Sequence, residues 1–301
     1  METAQMSQTA SMTSRRRVRW FVVGGVALAI GGAAVALGSK HTVAPRAVLS
    51  RAELQDATSF PFSDYDRLLR RFVDAEGRGL VDYRGLRRER EGLDRMLAFV
   101  AQAGPSSRPE LYPTENHRKA FFIAAYNASV WRNVIDRAPR NDIGAVRLSF
   151  FYSTRYVIDG AEINLKDIED QRVRAAFHDA RVHFALNCAS SGCPRLPNEA
   201  FTPERLDAQL DREARRFCNE ARNVRVDPAA RRVVLSQIFE WYAQDFVETE
   251  RSRGRADGDR ITFINRYRAE GDQIPRGYTV DFVDYDWTLN AQRANGETPS
   301  S

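Results

Sequence analysis

Apolar and polar positions alternate along this chain with changing period, and the period predicts the elements. The stretch KAFFIAAYNASVWRNVI, Lys119 to Ile135, is apolar on almost every side and reads as a buried helix. Earlier, DRLLRRFVDAEG predicts a helix that starts at Ser63 and stops at the glycines 77 and 79, and a second helix is expected over Tyr83–Ala103. RYVIDGAEI alternates around Asp159-Gly160, a two-residue hairpin turn. Asn164 is placed to cap the helix LKDIEDQRVRAAF. Arg181–Asn187, RVHFALN, reads as the best core strand. Thr202 and Pro203 predict the start of the next helix, NVRVDPAARRVVLS a second hairpin, FEWYAQDF and ITFINRYR two further helices, and YTVDFVDYDW a closing strand. Helices and antiparallel hairpins interleave without a βαβ rhythm. The expected fold class is therefore α+β, a single domain of helices packed on short antiparallel strands and hairpins.

The first 58 residues follow other rules. Residues 1–19 form a basic tail with arginines at 15, 16, 17 and 19, and Trp20–Gly38 is nineteen residues without a charge, long enough to cross a bilayer as a helix. Arginines before that segment hold the N-terminus in the cytoplasm and send the remainder across. A cleaved signal peptide, with Ala34-Val35-Ala36 as a small-x-small site, is the alternative. The expected location is the inner membrane, reached through residues 20–38, with the domain in the periplasm, or release to the periplasm if the segment is cleaved. Residues 39–58 read as a polar linker, 59–290 as the domain and 291–301 as a frayed tail.

Charge narrows the partners. The 301-residue chain has a formal net charge of +5 and a pI near 9.3. Without the four arginines and one glutamate of the first 38 residues, 41 basic and 39 acidic groups remain, so the domain has no general pull on phosphate backbones and nucleic acid is not expected as a partner. No glycine-rich phosphate loop follows a strand, and no cofactor is expected.

The chemistry concentrates in HFALNCASSGCP, His183 to Pro194, which holds one of four histidines and two of three cysteines. Cys188 is a candidate nucleophile with His183 as its base and Glu169, Asp167 or Asn127 as the group that orients it. On a continuous strand positions 183 and 188 would face opposite sides, so the pair requires the strand to end at Asn187. A Cys188–Cys193 disulfide fits an exported protein and would remove the nucleophile. His178, His183, Cys188 and Cys193 have a zinc-like inventory, but no Cys-x-x-Cys is present and no metal is expected. Trp241, Tyr242 and Asp245 are candidate ligand-binding residues, and Tyr285-Asp286-Trp287 could line a groove.

Five motifs in order carry a resemblance: Phe121-Phe122-Ile123-x-Ala125-Tyr126-Asn127-Ala128; Ile168-Glu169; His183 to Cys188 with Gly192-Cys193-Pro194; Trp241-Tyr242-x-x-Asp245-Phe246; and Tyr285-Asp286-Trp287-x-Leu289-Asn290. Over about Phe60 to Asn290 the chain resembles the bacterial family catalogued as domain of unknown function 547. That family usually carries asparagine where this chain has Ala124, and an aliphatic residue where it has Cys218. The resemblance implies a fold and leaves the activity open. Two readings follow: a Cys-His thiol hydrolase or acyl transferase acting on an envelope peptide or protein, and a non-catalytic periplasmic scaffold or peptide-binding module.

Overall fold

A computed structural model describes residues 41–74, 77–137 and 142–292. The apolar segment 20–38, the basic tail before it and residues 293–301 lie outside the described residues. Among the described residues no helix is long and apolar enough to cross a membrane.

The elements run β1 (His41–Val43), α1 (Arg51–Asp56), α2 (Phe62–Phe72), α3 (Tyr83–Arg88), α4 (Glu91–Gln102), α5 (Glu115–Arg137), β2 (Thr154–Ile158), β3 (Ala161–Asn164), α6 (Leu165–Asp167), α7 (Ala175–Phe177), α8 (Leu206–Asn219), β4 (Val224–Asp227), β5 (Arg232–Leu235), α9 (Ile238–Trp241), α10 (Ala243–Ser252), α11 (Arg260–Arg266) and β6 (Thr279–Phe282). The α+β class and the single domain with short sheets hold. The strands form two three-stranded sheets, β1-β2-β3 and β4-β5-β6. Each contains the expected hairpin, but β1 joins β2 and β6 joins β5 in parallel, so the sheets are mixed. The segment read as a linker carries β1 and the helix α1, closed by a reciprocal cap in which Ser50 Oγ accepts from the Glu53 amide and Glu53 from the Ser50 amide.

Helix α5 is the axis of the larger core. Every residue from Lys119 to Ile135 is buried, which is why its sequence shows no polar face. Around it pack Tyr65, Leu69, Leu86, Leu93, Phe150 and Ile168. A second core gathers Phe184, Phe217, Phe239, Phe246 and Phe263, with ring centroids of neighbouring pairs 4.8 to 6.1 Å apart.

The hairpin turn at Asp159-Gly160 has both residues at positive φ, 52° and 74°, as a primed turn requires. Asn164 caps α6 as expected, accepting from the Asp167 amide at 2.7 Å. A π-type stretch over Ile168–Arg174 joins α6 to α7, so the expected helix continues with one wide turn that carries Glu169.

Several expectations are corrected. Arg181–Asn187 is not a strand. Asp179 caps a 3-10 turn over Ala180–Phe184, and the chain then runs on as a loop. Its apolar residues divide at helical spacing: Val182, Ala185 and Leu186 enter the larger core, while Ala180 and Phe184 enter the second. This segment therefore threads the seam between the two cores, and the alternation argument about positions 183 and 188 does not apply. Tyr83–Ala103 divides into α3 and α4, with the turn at Arg90 held by its ion pairs to Asp94 and Asp136. Helix α8 begins at Leu206 rather than at Pro203, because Gln209 reaches back to accept from the Thr202 amide and to donate to the Ala200 carbonyl. FEWYAQDF breaks at Tyr242 into α9 and α10. The closing strand ends at Phe282, and Tyr285–Trp287 lies on an extended crossing segment beyond it.

Phe239 is fully buried among Phe184, Phe217 and Phe246. Phe239→Ala is expected to lower unfolding free energy by about 3–5 kcal/mol, read from urea unfolding at unchanged slope; a loss below about 1 kcal/mol would contradict this packing.

Candidate functional site

The seam fixes three groups of side chains. The first is an amide clamp. Asn127, buried on α5, donates from Nδ2 to the Ala185 carbonyl at 2.9 Å and accepts the Asn187 amide on Oδ1 at 2.9 Å. Asn187 in turn donates to the Pro194 carbonyl at 2.8 Å and accepts from the Ala189 amide at 3.0 Å and from Asn290 Nδ2 at 3.1 Å. Asn290 Oδ1 accepts from the Tyr83 hydroxyl at 2.7 Å. Three carboxamides thus bind the core helix, the Cys188 loop and the crossing segment into one frame.

The second group surrounds His183, which is 4% exposed. Its Nε2 bonds the Asp245 carboxylate at 2.7 Å. Arg174 holds the same carboxylate with two bonds, at 2.7 and 2.9 Å. Tyr242 stacks on the imidazole with ring centroids 3.9 Å apart, and the Arg174 guanidinium lies 4.9 Å from the centre of the Tyr242 ring. Burial by itself pushes the Asp245 carboxyl up, but its bonds from His183 and Arg174 outweigh that and hold it well below the usual carboxylate range. The Tyr242 hydroxyl donates to Glu169 Oε1 at 2.6 Å, and Lys166 Nζ lies 3.6 Å from the same oxygen. Burial, reinforced by the Glu169 charge, pushes the Tyr242 hydroxyl far above its ordinary value, so it remains a donor. Beside this group opens a cleft of about 270 Å³ lined by Asp170, Arg174, His178, Asp179, Asp245 and Glu248.

The third group is the cysteine loop. Cys188 and Cys193 are joined as a disulfide, Cα atoms 6.2 Å apart, and the Cys188 amide points at Cys193 Sγ. Ser190 Oγ lies 3.0 Å and the Tyr285 hydroxyl 3.3 Å from Cys188 Sγ. Ala189 takes φ +64°, a left-handed turn that folds the loop back. Gly192 is required by close approach: a Cβ there would come within 3.0 Å of the Asp286 main chain and the Tyr285 ring. Cys218 is buried on α8, and burial pushes its thiol well up.

Of the residues singled out from sequence, His183, Tyr242 and Asp245 meet directly, and Glu169 joins them through Tyr242. The hydrogen bonds of His183 lead to Asp245, and those of Cys188 to Ser190, Tyr285 and Cys193. Asn127 orients the Ala185–Asn187 turn and not the imidazole. Asp167 is occupied at the helix start, its amide capped by Asn164 and its carboxylate bonded by Gln171. Trp241 faces outward, 45% exposed, and packs on Tyr285 and Trp287. Arg174 and Ser190 were not singled out, and Asn187 and Asn290 entered only as members of the ordered motifs. The four-residue spacing of Asp170 and Arg174 is a signal for a local ion pair alone, and the reach of Arg174 to Asp245 crosses 71 positions.

Residues 111–218 match the family model described as protein of unknown function, DUF547. That span holds α5, the first hairpin, Glu169, His183 and the Cys188–Cys193 loop, whereas Trp241–Asp245 and Tyr285–Asn290 lie beyond it. The DUF547 resemblance thus rests on the part of the seam contributed by residues 111–218. No curated protein and no solved structure matches the chain.

Two outcomes follow from this geometry. Asn127→Ala strands the buried Asn187 amide and Ala185 carbonyl and is expected to cost about 2–4 kcal/mol in urea unfolding; a cost under about 1 kcal/mol would refute the clamp. A carboxyl with a depressed folded pKa contributes stability that is complete above its unfolded value of about 3.9 and declines as pH falls below it. The stability difference between the native chain and Asp245→Asn should therefore be flat from about pH 6 to about pH 5 and shrink below about pH 4. A difference that stays constant through the acid limb would show that Asp245 is not held by these partners.

Proposed function

We propose that this chain is an exported protein, tethered to the inner membrane by residues 20–38, whose periplasmic domain binds an envelope ligand on the face formed by Trp241, Tyr285 and Trp287. The observation that carries this reading is the seating of one exposed ring, Trp241, on the half-buried rings of Tyr285 and Trp287 beside a stapled loop. Tyr285 touches the Cys188–Cys193 unit through its hydroxyl, and Trp241 and Trp287 pack on Tyr285 with centroids 4.8 and 4.6 Å away. Membrane tethering is supported by the arginines that precede the uncharged segment. A paired Cys188 and Cys193 suits an oxidising compartment. Binding rather than turnover is supported by the state of the two most reactive groups, since Cys188 is committed to sulfur and His183 to a shielded hydrogen bond with Asp245.

The thiol hydrolase or acyl transferase reading is favoured by one specific feature. Ser190 and Tyr285 offer hydroxyls to Cys188 Sγ, and the same donors would stabilise a thiolate released when an external dithiol reduces the disulfide.

The full chain in detergent, left unreduced, should show no alkylation at Cys188 by peptide mass spectrometry until reductant is added. Its retention on an isolated envelope fraction should fall about tenfold in Trp241→Ala and Trp287→Ala. Rapid labelling before reduction, with an apparent pKa well below about 8.5, would replace the binding reading with the catalytic one. Retention indifferent to both tryptophans would remove the aromatic face from function.

A further inference from the structure

Three hydrogen-bond donors are aimed at sulfur in the stapled loop. The Cys188 amide points at Cys193 Sγ at 2.9 Å. The Ser190 and Tyr285 hydroxyls lie 3.0 and 3.3 Å from Cys188 Sγ, and 3.0 Å from each other. A disulfide sulfur carries no hydrogen, so the hydroxyls are the donors. Sulfur in a disulfide accepts such bonds weakly, whereas a thiolate accepts them strongly. Donors placed on both sulfurs therefore stabilise the reduced loop more than the oxidised one, and that difference makes a disulfide an oxidant.

The surroundings act in the same direction. Arg78 and Arg222 donate to the Ser191 carbonyl at 3.0 and 2.8 Å, and Arg222 reaches the Cys193 carbonyl at 3.4 Å. Positive charge beside the loop favours thiolates. Glu220 pairs with Arg222 at 2.8 Å and offsets part of its charge, while the Asp286 carboxylate is turned to Thr288. Within the loop Ala189 holds φ +64°, a left-handed conformation costly to an alanine and open to release once the staple is cut. The two sulfurs are also unequal. Cys188 is half-buried, whereas Cys193 is only 5% exposed.

We propose that the Cys188–Cys193 loop is a redox-active disulfide that oxidises an accessible dithiol of a partner peptide or protein. Cys188 is the sulfur attacked and Cys193 the one that leaves. An incoming thiolate bonds to Cys188 Sγ as the bond between the two cysteines breaks, and Cys193 departs as a thiolate held by the Cys188 amide. The partner's second thiolate then attacks its own sulfur in the mixed disulfide, and Cys188 departs toward Ser190 and Tyr285. Two electrons and two protons pass from the dithiol to the loop, and the partner leaves as a disulfide. This activity goes beyond ligand binding and needs neither Trp241 nor Trp287.

The test equilibrates the full chain in detergent with mixtures of reduced and oxidised glutathione, then quenches with acid, alkylates and reads both cysteines by peptide mass spectrometry. The loop should pass through half-reduction within these mixtures, where a purely structural staple stays oxidised. Tyr285→Phe should shift that midpoint about tenfold toward the disulfide. Cys193→Ser should trap a mixed disulfide with a peptide bearing Cys-x-x-Cys, and Cys188→Ser, which keeps only the buried sulfur, should trap it at least about tenfold more slowly. A native loop that stays oxidised in reduced glutathione overturns the proposal whatever the variants do. A midpoint indifferent to Tyr285→Phe, or equal trapping at both cysteines, overturns it as well.

Discussion

One carboxamide determines how the rest of the site is built. Asn127 sits on a helix buried along seventeen consecutive residues, where an unpartnered amide would be expensive. Its two bonds grip the Ala185 carbonyl and the Asn187 amide, and so dock a segment whose side chains enter both cores. Everything downstream inherits that placement. The 3-10 turn before the clamp delivers His183 to Asp245, and the loop after it delivers Cys188 to Cys193 and Tyr285. Asn187 and Asn290 extend the clamp to the crossing segment, which is why Tyr285, Asp286 and Thr288 come to lie against the cysteine loop although about a hundred residues separate them in sequence.

The seam explains why so many polar groups are buried together without a strained interior. Two apolar cores meet there, and neither can fill the gap with its own side chains. The gap is instead satisfied by bonds in series: Arg174 to Asp245 to His183, and Tyr242 to Glu169. The Arg174–Asp245 pair is half-buried, and removing one partner leaves the other, and the His183 bond with it, uncompensated. The network therefore specifies one arrangement of the second core on the first. In the binding account its role is to hold the aromatic face: His183 and Arg174 pack on the Tyr242 ring, and Trp241 is the residue immediately before it.

Local rules made much of the fold legible. Asp159-Gly160, the Asn164 cap and the all-round apolar character of Lys119–Ile135 each report on neighbours a few residues away, and the structure agrees with them. RVHFALN was misread because a short apolar run has the same composition whether it is a core strand or a turn shared by two cores. The segment at 41–43 was read as linker because its pairing with β2 depends on a strand more than a hundred residues away. The site divided along the same line. Residue types pointed to His183, Cys188, Tyr242 and Asp245, but which of them touch is set by contacts across 59 and 62 positions, from His183 to Tyr242 and to Asp245. Spacing within a motif carries no information about those contacts.

The central claim is that the Cys188 loop and the Tyr285–Asn290 segment are one unit, stapled by the disulfide and held to the core by Asn127. Amide hydrogen exchange of the full chain, before and after reduction, tests it most directly. The account predicts that reduction raises exchange at residues 188–193 and 286–290 together while the amides of α5 stay protected. No change at residues 286–290, or loss of protection throughout α5, would contradict it.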